Sequence, residues 1–181
     1  MALIKTDEGY GFIDRSDSIN ITLDYDRIWP FSENLSRVLK NNKFGFVNKK
    51  GEEVIQLVFN NARDFSNGLA CVKLGEKYGY INSAGEYVIE PVFSNAGSFS
   101  DGLALVKIKD NYGFISTSGE VVIDPIYHKC MNFDDGISLV WKEDEIFYIN
   151  KKGEKIGLLF KGQISDGEED YEPIKIYFWS L

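Results

Sequence analysis

The single histidine of the chain, His128, is the first residue to consider for acid–base chemistry. A Ser-His-Asp or Cys-His mechanism needs that imidazole beside a nucleophile. The paired carboxylates Asp134 and Asp135 follow in the same predicted loop and could do acid–base work with it. An acidic residue next to the glycine of a turn is also ordinary turn chemistry. We therefore predict that His128 is a loop side chain and that the chain has no catalytic residues.

Other chemical motifs are weak. Cys71 and Cys130 occupy non-equivalent places and form no Cys-x-x-Cys pair, so we expect reduced thiols and no metal site. The glycines of residues 75–79 lack the Lys-Ser/Thr of a phosphate loop and lead into a predicted strand. The acidic run at residues 166–172 lacks the spacing and the glycine of a known calcium loop. No cofactor is predicted.

A repeat of 34 residues organises the chain. Its most regular members are the glycines Gly11, Gly45, Gly79 and Gly113. A parallel series of aromatic residues is Phe31, Phe65, Phe99 and Phe133. A degenerate fifth copy keeps an isoleucine and a glycine at Ile149 and Gly153. Because no gaps are needed to align the copies, the chain is predicted to be a tandem array of one structural unit.

Each repeat is predicted to hold three short strands. The apolar runs are short, rich in Val, Ile, Tyr and Phe, and end in Gly, Asn or Pro, which favours strands over helices. In the third copy the strands are placed at residues 69–74, 77–82 and 86–90. Pro91 is expected to end the third strand, because proline cannot donate a ladder hydrogen bond. A loop is predicted from there to about residue 101.

The repeat has the pattern aromatic-Gly-aromatic-Ile-Asn-x-x-Gly-Glu-x-Val-Ile-x-Pro-x-Phe, followed by Phe-Ser-x-Gly-Leu-Ala-x-Val-Lys. This pattern resembles the WG-repeat family of bacterial β-repeat proteins over about residues 2–156. The tryptophan that names the motif is replaced here by Tyr10, Phe44, Tyr78 and Tyr112, and the fifth copy lacks the glycine. The resemblance implies a non-catalytic domain used for interactions, and it names no ligand.

The predicted fold class is all-β, with tandem repeats of three short antiparallel strands stacked as an elongated, twisted array. A closed, propeller-like or barrel-like arrangement is the alternative, although propeller blades usually have four strands and about 40–45 residues. A single domain is expected, with four full repeats and flanking partial copies over residues 1–156. Residues 157–181 are predicted to form an acidic loop and a capping strand, the latter at residues 173–179.

The charge balance limits the partners. A formal net charge of −8 and a pI near 4.8 argue against nucleic acid, because no basic stripe can neutralise phosphates. The same charge permits a basic partner, and it would also simply keep a β-rich protein in solution. The start of the chain lacks the features of a secretory signal, and no apolar run approaches the roughly 18 residues of a membrane span. A cytoplasmic protein without membrane contact is expected.

Residues that break the repeat are the better candidates for partner contacts. Trp141 stands where the other copies have lysine or leucine, and an exposed tryptophan there would be a natural hot spot. Trp29 aligns with Arg63, Gly97 and Met131, so it has no shared core role. Either ring could also be apolar only because a terminal repeat lacks a neighbour. The acidic members of the predicted partner-binding set are Asp166, Glu168, Glu169 and Asp170.

These features predict a non-enzymatic, protein-binding β-repeat domain. The sharper hypothesis is an acidic immunity or inhibitor protein that neutralises a basic partner such as a bacterial toxin, because charge complementarity speeds encounter. A carbohydrate or cell-wall binder is the alternative, and it would display an exposed Tyr or Trp at one equivalent position in each repeat. An enzyme would need a pocket that gathers His128 with carboxylates.

Overall fold

A computed structural model describes residues 2–6, 9–13 and 19–161 of the chain. Within these ranges the chain consists of β-strands and the turns between them, arranged as five antiparallel sheets. Each sheet pairs its strands in the order in which they occur in the sequence. The described residues include no helix that could cross a membrane. The all-β prediction of tandem antiparallel repeats is therefore confirmed.

The strands follow the repeat. The first sheet contains β1 (Ala2–Thr6), β2 (Gly9–Ile13) and β3 (Ile19–Leu23). The second contains β4 (Arg27–Ser32), β5 (Leu35–Lys40), β6 (Lys43–Val47) and β7 (Glu53–Phe59). The third contains β8 (Asn61–Ala62), β9 (Ala70–Leu74), β10 (Lys77–Ile81) and β11 (Tyr87–Phe93). The fourth contains β12 (Asn95–Ser100), β13 (Leu103–Ile108), β14 (Asn111–Ser116) and β15 (Val121–Tyr127). The fifth contains β16 (Lys129–Cys130), β17 (Ile137–Lys142), β18 (Glu145–Asn150) and β19 (Lys155–Lys161).

The second to fifth sheets each have one strand more than the three predicted per repeat. This strand (β4, β8, β12 or β16) comes from the segment predicted as a loop. Its pairing is short or interrupted: in the fourth sheet the register shifts between the pairs Ala96↔Val106 and Phe99↔Ala104. A strand with a bulge does not alternate regularly, which is why its sequence resembles a loop. Phe99 of this strand is nevertheless buried.

Pro91 does not end the third strand of its repeat, contrary to the prediction. β11 continues through it to Phe93, and the pairing with β10 shifts between Tyr78↔Phe93 and Tyr80↔Ile89. The shift places Pro91 in a bulge, where its missing N–H is not needed.

The bulge explains the glycine between the two aromatics of the repeat. A Cβ on Gly79 would lie 2.6 Å from the carbonyl oxygen of Ile89 and 2.7 Å from the nitrogen of Pro91. The corresponding clash at Gly45 and Gly113 is with a backbone carbonyl oxygen at 2.5 Å. The bulged strand therefore folds tightly over the preceding strand, and only glycine leaves room for it.

The chain forms two compact units, Met1–Phe93 and Ser94–Leu181. In the first unit, Phe46 and Phe65 pack edge to face between the second and third sheets, with ring centroids 4.9 Å apart. In the second unit, Phe114 and Phe133 make the equivalent contact at 4.7 Å between the fourth and fifth sheets. Neighbouring sheets of each unit are thus held together by apolar side chains that recur with the repeat.

β19 spans the predicted boundary between residues 156 and 157. The predicted capping strand at residues 173–179 lies outside the described residues.

Candidate functional site

The structure does not bring His128 and the paired aspartates together. His128 is exposed just before β16, and its backbone N–H donates to the carbonyl oxygen of Trp141 at 2.9 Å. Asp134 pairs instead with Ile137, at the other end of β17. Four residues of extended strand separate these two pairing positions, a distance of roughly 13 Å. The imidazole and the carboxylates are therefore too far apart to share a proton.

Asp135 is a turn residue. Asp135 and Gly136 have φ values of 51° and 81°, as the two central residues of a tight hairpin turn require. The same turn recurs one repeat earlier, where the φ values of Asp101 and Gly102 are 53° and 82°. The Asp101 carboxylate accepts a hydrogen bond from the N–H of Gly136 at 2.7 Å, which links the two hairpins. The acidic residue at this position therefore has a structural role.

Both cysteines, Cys71 and Cys130, are buried thiols. Burial raises the pKa of Cys71 and of Cys130 to about 12. Such thiols are protonated at neutral pH and are poor nucleophiles. The described residues contain no group of three or more His, Cys, Asp or Glu side chains that could hold a metal ion.

Trp141 is half-buried and paired. It lies opposite Lys129 in the β16–β17 ladder, and the ammonium of Lys129 is 4.8 Å from the centroid of the indole ring. The lysine thus covers part of the ring that the sequence predicted as a contact surface. The acidic residues predicted to act with it, Asp166, Glu168, Glu169 and Asp170, lie outside the described residues.

Trp29 lies in a different environment from the one that the sequence suggested. It sits where the β4–β5 register shifts, and the guanidinium carbon of Arg37 is 4.0 Å from its ring centroid. The guanidinium carbon of Arg27 is 4.6 Å from the same ring. The ring of Phe44 packs against the indole at 5.8 Å between centroids. Trp29 therefore contacts two arginine side chains, which form a basic cluster within an acidic chain.

Arg37 is the most enclosed member of this cluster, with 14% of its side chain exposed. Its Nη1 donates to the carbonyl oxygen of Ala62, and its Nε lies 3.3 Å from Oδ1 of Asp64. Burial lowers the pKa of Arg37, and the carboxylate of Asp64 opposes that shift. Arg37 and Asp64 therefore form an ion pair that is partly removed from water, where desolvation of the charges has a significant free-energy cost.

The last strands of the second, third and fourth sheets show a feature that the sequence analysis missed. Exposed side chains alternate along β7, β11 and β15, and in each strand two aliphatic residues flank one polar residue. We call this set the outer row; its members are Val54, Gln56 and Val58 in β7, Val88, Glu90 and Val92 in β11, and Val122, Asp124 and Ile126 in β15. The aliphatic side chains are well exposed, up to 60% for Val92. The 34-residue spacing of these valines was visible in the sequence, but Val-Ile doublets are equally typical of a core strand.

The aromatic residue before each repeat glycine is only half-buried, at Phe44, Tyr78 and Tyr112. Lysine ammonium groups lie 5.7 Å from the ring centroid of Tyr78 and 5.6 Å from that of Tyr112. The repeated side chains that face solvent most openly are therefore aliphatic and acidic, not aromatic.

Comparisons with known proteins agree with this architecture. The family described as WG containing repeat matches residues 10–44, 44–78, 78–112 and 112–144. No curated protein matches the chain. The structure of Hsv2 from Kluyvelomyces marxianus is similar with a TM-score of 0.59 and 11% identity, covering 88% of this chain and 58% of Hsv2. A eukaryotic initiation factor is similar with a TM-score of 0.61 and 8% identity, covering 91% of this chain and 53% of that protein. The chain thus spans little more than half the length of these structures, and at such identities the likeness concerns the fold alone.

Proposed function

This chain belongs to the WG containing repeat family, and we propose that it is a protein-binding repeat domain whose contact surface is formed by the outer-row residues of β7 and β11 in the first compact unit. The observation that carries the proposal is the recurrence of exposed aliphatic residues on the last strand of three successive sheets. Val88 and Val92 are 44% and 60% exposed, and their counterparts in β7 and β15 are exposed similarly.

Aliphatic rows of this kind are unusual on a surface that meets only water. Single exposed valines need no explanation, but repeated apolar residues in one register mark interaction surfaces. Their strands also end the sheets, so each has one edge without a partner strand in the described part of the chain. Pro91 and Pro125 interrupt that edge inside the bulges and discourage uncontrolled strand pairing. The side chains of the outer row are therefore better suited to selective binding than the backbone edge.

The polar members of the outer row indicate the chemistry of the partner. Glu90 and Asp124 each stand between two exposed aliphatic side chains. A complementary surface would carry basic residues interleaved with apolar ones, which also agrees with the net charge of −8. The sharper form of the proposal is that the protein is an acidic immunity or inhibitor protein that neutralises a basic protein such as a toxin. The acidic outer row supports this form, since opposite charges accelerate encounter.

Affinity capture with matched variants tests the proposal. The wild-type protein and a variant carrying Val88→Thr, Glu90→Gln and Val92→Thr are tagged and used to capture partners from the native host, with elution by a salt step. We expect one basic protein to elute from the wild type and to be absent from the variant. Surface substitutions of this size change the free energy of unfolding by about 0.5 kcal/mol or less.

The control variant carries Leu74→Thr and Met131→Thr, two exposed apolar residues that lie outside the outer row. It should retain the partner. Equal capture by all three proteins would contradict the proposed surface. Binding of the folded protein to a glycan array instead, with loss on Tyr78→Ala and Tyr112→Ala, would favour the carbohydrate-binding alternative.

A further inference from the structure

We propose that Arg27 and Arg37, whose guanidinium carbons lie 4.6 Å and 4.0 Å from the ring centroid of Trp29, form a binding site for an oxyanion, namely a phosphate or a carboxylate group. This site is distinct from the outer row. Arg27 and Trp29 lie on β4, the first strand of its sheet, whereas the outer row occupies the last strand, β7.

The first argument is the concentration of arginine in an acidic chain. The sequence has four arginines, and two of them, Arg27 and Arg37, contact the same indole ring. Burial lowers the pKa of Arg37, and the positive charges of Arg27 and Arg63 lower it further. Like charges held together destabilise a fold unless an anion or carboxylate compensates them.

The second argument is the position of Arg37 within the repeat. The equivalent residues of the other repeats are apolar: Leu3, Cys71, Leu105 and Leu139. An arginine there exchanges ordinary packing for a guanidinium that is largely removed from water, and its desolvation is costly. The fold itself does not require this exchange, since leucine serves in three other copies.

The third argument is that the cluster has more positive than negative charge and more donors than acceptors. Within the described residues Asp64 is the acid that pairs with the cluster, against two guanidinium groups. Arg27 has no ion-pair partner in the part of the chain that the structure describes. The Nε of Arg37 and the Oδ1 of Asp64, both buried, lie at ion-pair distance but make no well-directed hydrogen bond there. Each guanidinium carries five N–H donors, so several remain available to oxygen atoms of a ligand.

Trp29 restricts the orientations of the two guanidinium groups. The guanidinium groups of Arg27 and Arg37 stack on its ring at 4.6 Å and 4.0 Å. The ring contact restricts rotation of the planar groups. Since Arg37 already uses Nη1 for the carbonyl oxygen of Ala62 and Nε for Asp64, an oxyanion would bind to Arg27 and to the remaining N–H groups of Arg37. The indole is also a fluorescent reporter in direct contact with the site.

The test follows the emission of Trp29 in a background where the other two tryptophans are replaced by phenylalanine. Inorganic phosphate and acetate are titrated separately, with chloride holding the ionic strength constant. We expect a saturable change in emission with at least one of the two anions. That anion identifies whether the site takes phosphate or carboxylate.

Substitutions that install the residues of other repeats separate binding from folding. Arg37→Leu and Arg27→Asn should each lower the affinity for the anion about tenfold or more, because each removes charged hydrogen bonds. Asp64→Asn should tighten binding, because it removes a competing carboxylate. Lys129→Asn, the change equivalent to Arg27→Asn three repeats further along the chain, should have no effect. Circular dichroism melting checks each fold, and Arg37→Lys replaces Arg37→Leu if the latter is unfolded.

Two results would overturn the proposal. One is an emission change that is absent, or no larger than the change caused by chloride. The other is an anion affinity that Arg37→Leu or Arg37→Lys leaves unchanged in the folded protein. Either result would assign the cluster to packing alone.

Discussion

At the scale of the residue, the side chains that first suggest catalysis lie in ordinary turn and strand-end positions. Asp135 is a turn residue of positive φ, and His128 lies at the other end of the same strand pair. The turn role of Asp135 follows from its place before a glycine, so it could be predicted from the sequence. The surroundings of Trp29 could not, because they depend on a register shift between β4 and β5 that brings Arg37 to its ring.

The buried thiols lead to a prediction about alkaline pH. The pKa of Cys71 and of Cys130 is about 12 in the folded protein, above the value of about 8.5 expected for an unfolded chain. A thiol with a higher pKa in the folded state keeps its proton to a higher pH than the same thiol in the unfolded chain. The folded state therefore loses stability as the pH rises from the unfolded-state pKa to the folded-state pKa. The free energy of unfolding should therefore be constant near neutral pH and fall between about pH 8.5 and 12, by up to roughly 1.4 kcal/mol per pH unit for each thiol.

Urea unfolding at pH 7, 9 and 10.5 measures this dependence. The control is Cys71→Leu with Cys130→Ala, which installs the residues found at Leu105 and Ala96 of another repeat. The control should show a shallower decline, and the remaining slope belongs to other groups such as Tyr80, whose pKa burial also raises. Identical slopes for both proteins would show that the thiols do not contribute.

At the scale of the element, some strands could be predicted from the sequence and others could not. The Asn-x-x-Gly-Glu motif marks its turn reliably: Asn82 Oδ1 accepts the N–H groups of Ala84 and Glu86 at 2.9 and 3.0 Å. The first strand of each later sheet was missed because its pairing is short or bulged and its side chains do not alternate. The continuation of β11 past Pro91 was missed because the bulge that tolerates proline forms only against β10.

That bulge leads to a prediction about Gly79. A methyl group at this position would lie 2.6 Å from a carbonyl oxygen, and backbone cannot move aside as a side chain would. Gly79→Ala should lower the free energy of unfolding by about 2 kcal/mol or more, as expected for overpacking against a strand. Denaturant unfolding monitored by tryptophan fluorescence measures the change.

Gly97→Ala is the matched control for that substitution. A Cβ there would approach the side-chain oxygen of Asn132 at 2.9 Å, and this amide can rotate away. The loss of stability should be clearly smaller than for Gly79→Ala. If the two losses were equal, the bulge would not be the reason for the repeat glycine.

At the scale of the whole molecule, the repeat gives successive sheets similar surfaces. Residues that differ from their equivalents in the other repeats make individual sheets distinct. The outer row recurs in β7, β11 and β15 and agrees with the acidic charge of the chain. The pair Arg27 and Arg37 lies in the second sheet alone and has the opposite charge. The sequence predicted a binding domain from its periodicity, but it could not identify the exposed row, because exposure depends on which face of each strand meets its neighbouring sheet.

The most direct test of the proposed function is site-specific photocrosslinking in the native host. A benzophenone amino acid replaces Val92 in one sample and Leu74 in another; both are exposed and apolar, but only Val92 belongs to the outer row. The proposal predicts a covalent adduct with a single basic protein from position 92 and none from position 74. Adducts from position 74 alone, or none from position 92 while the partner is captured, would contradict the outer row as the binding surface.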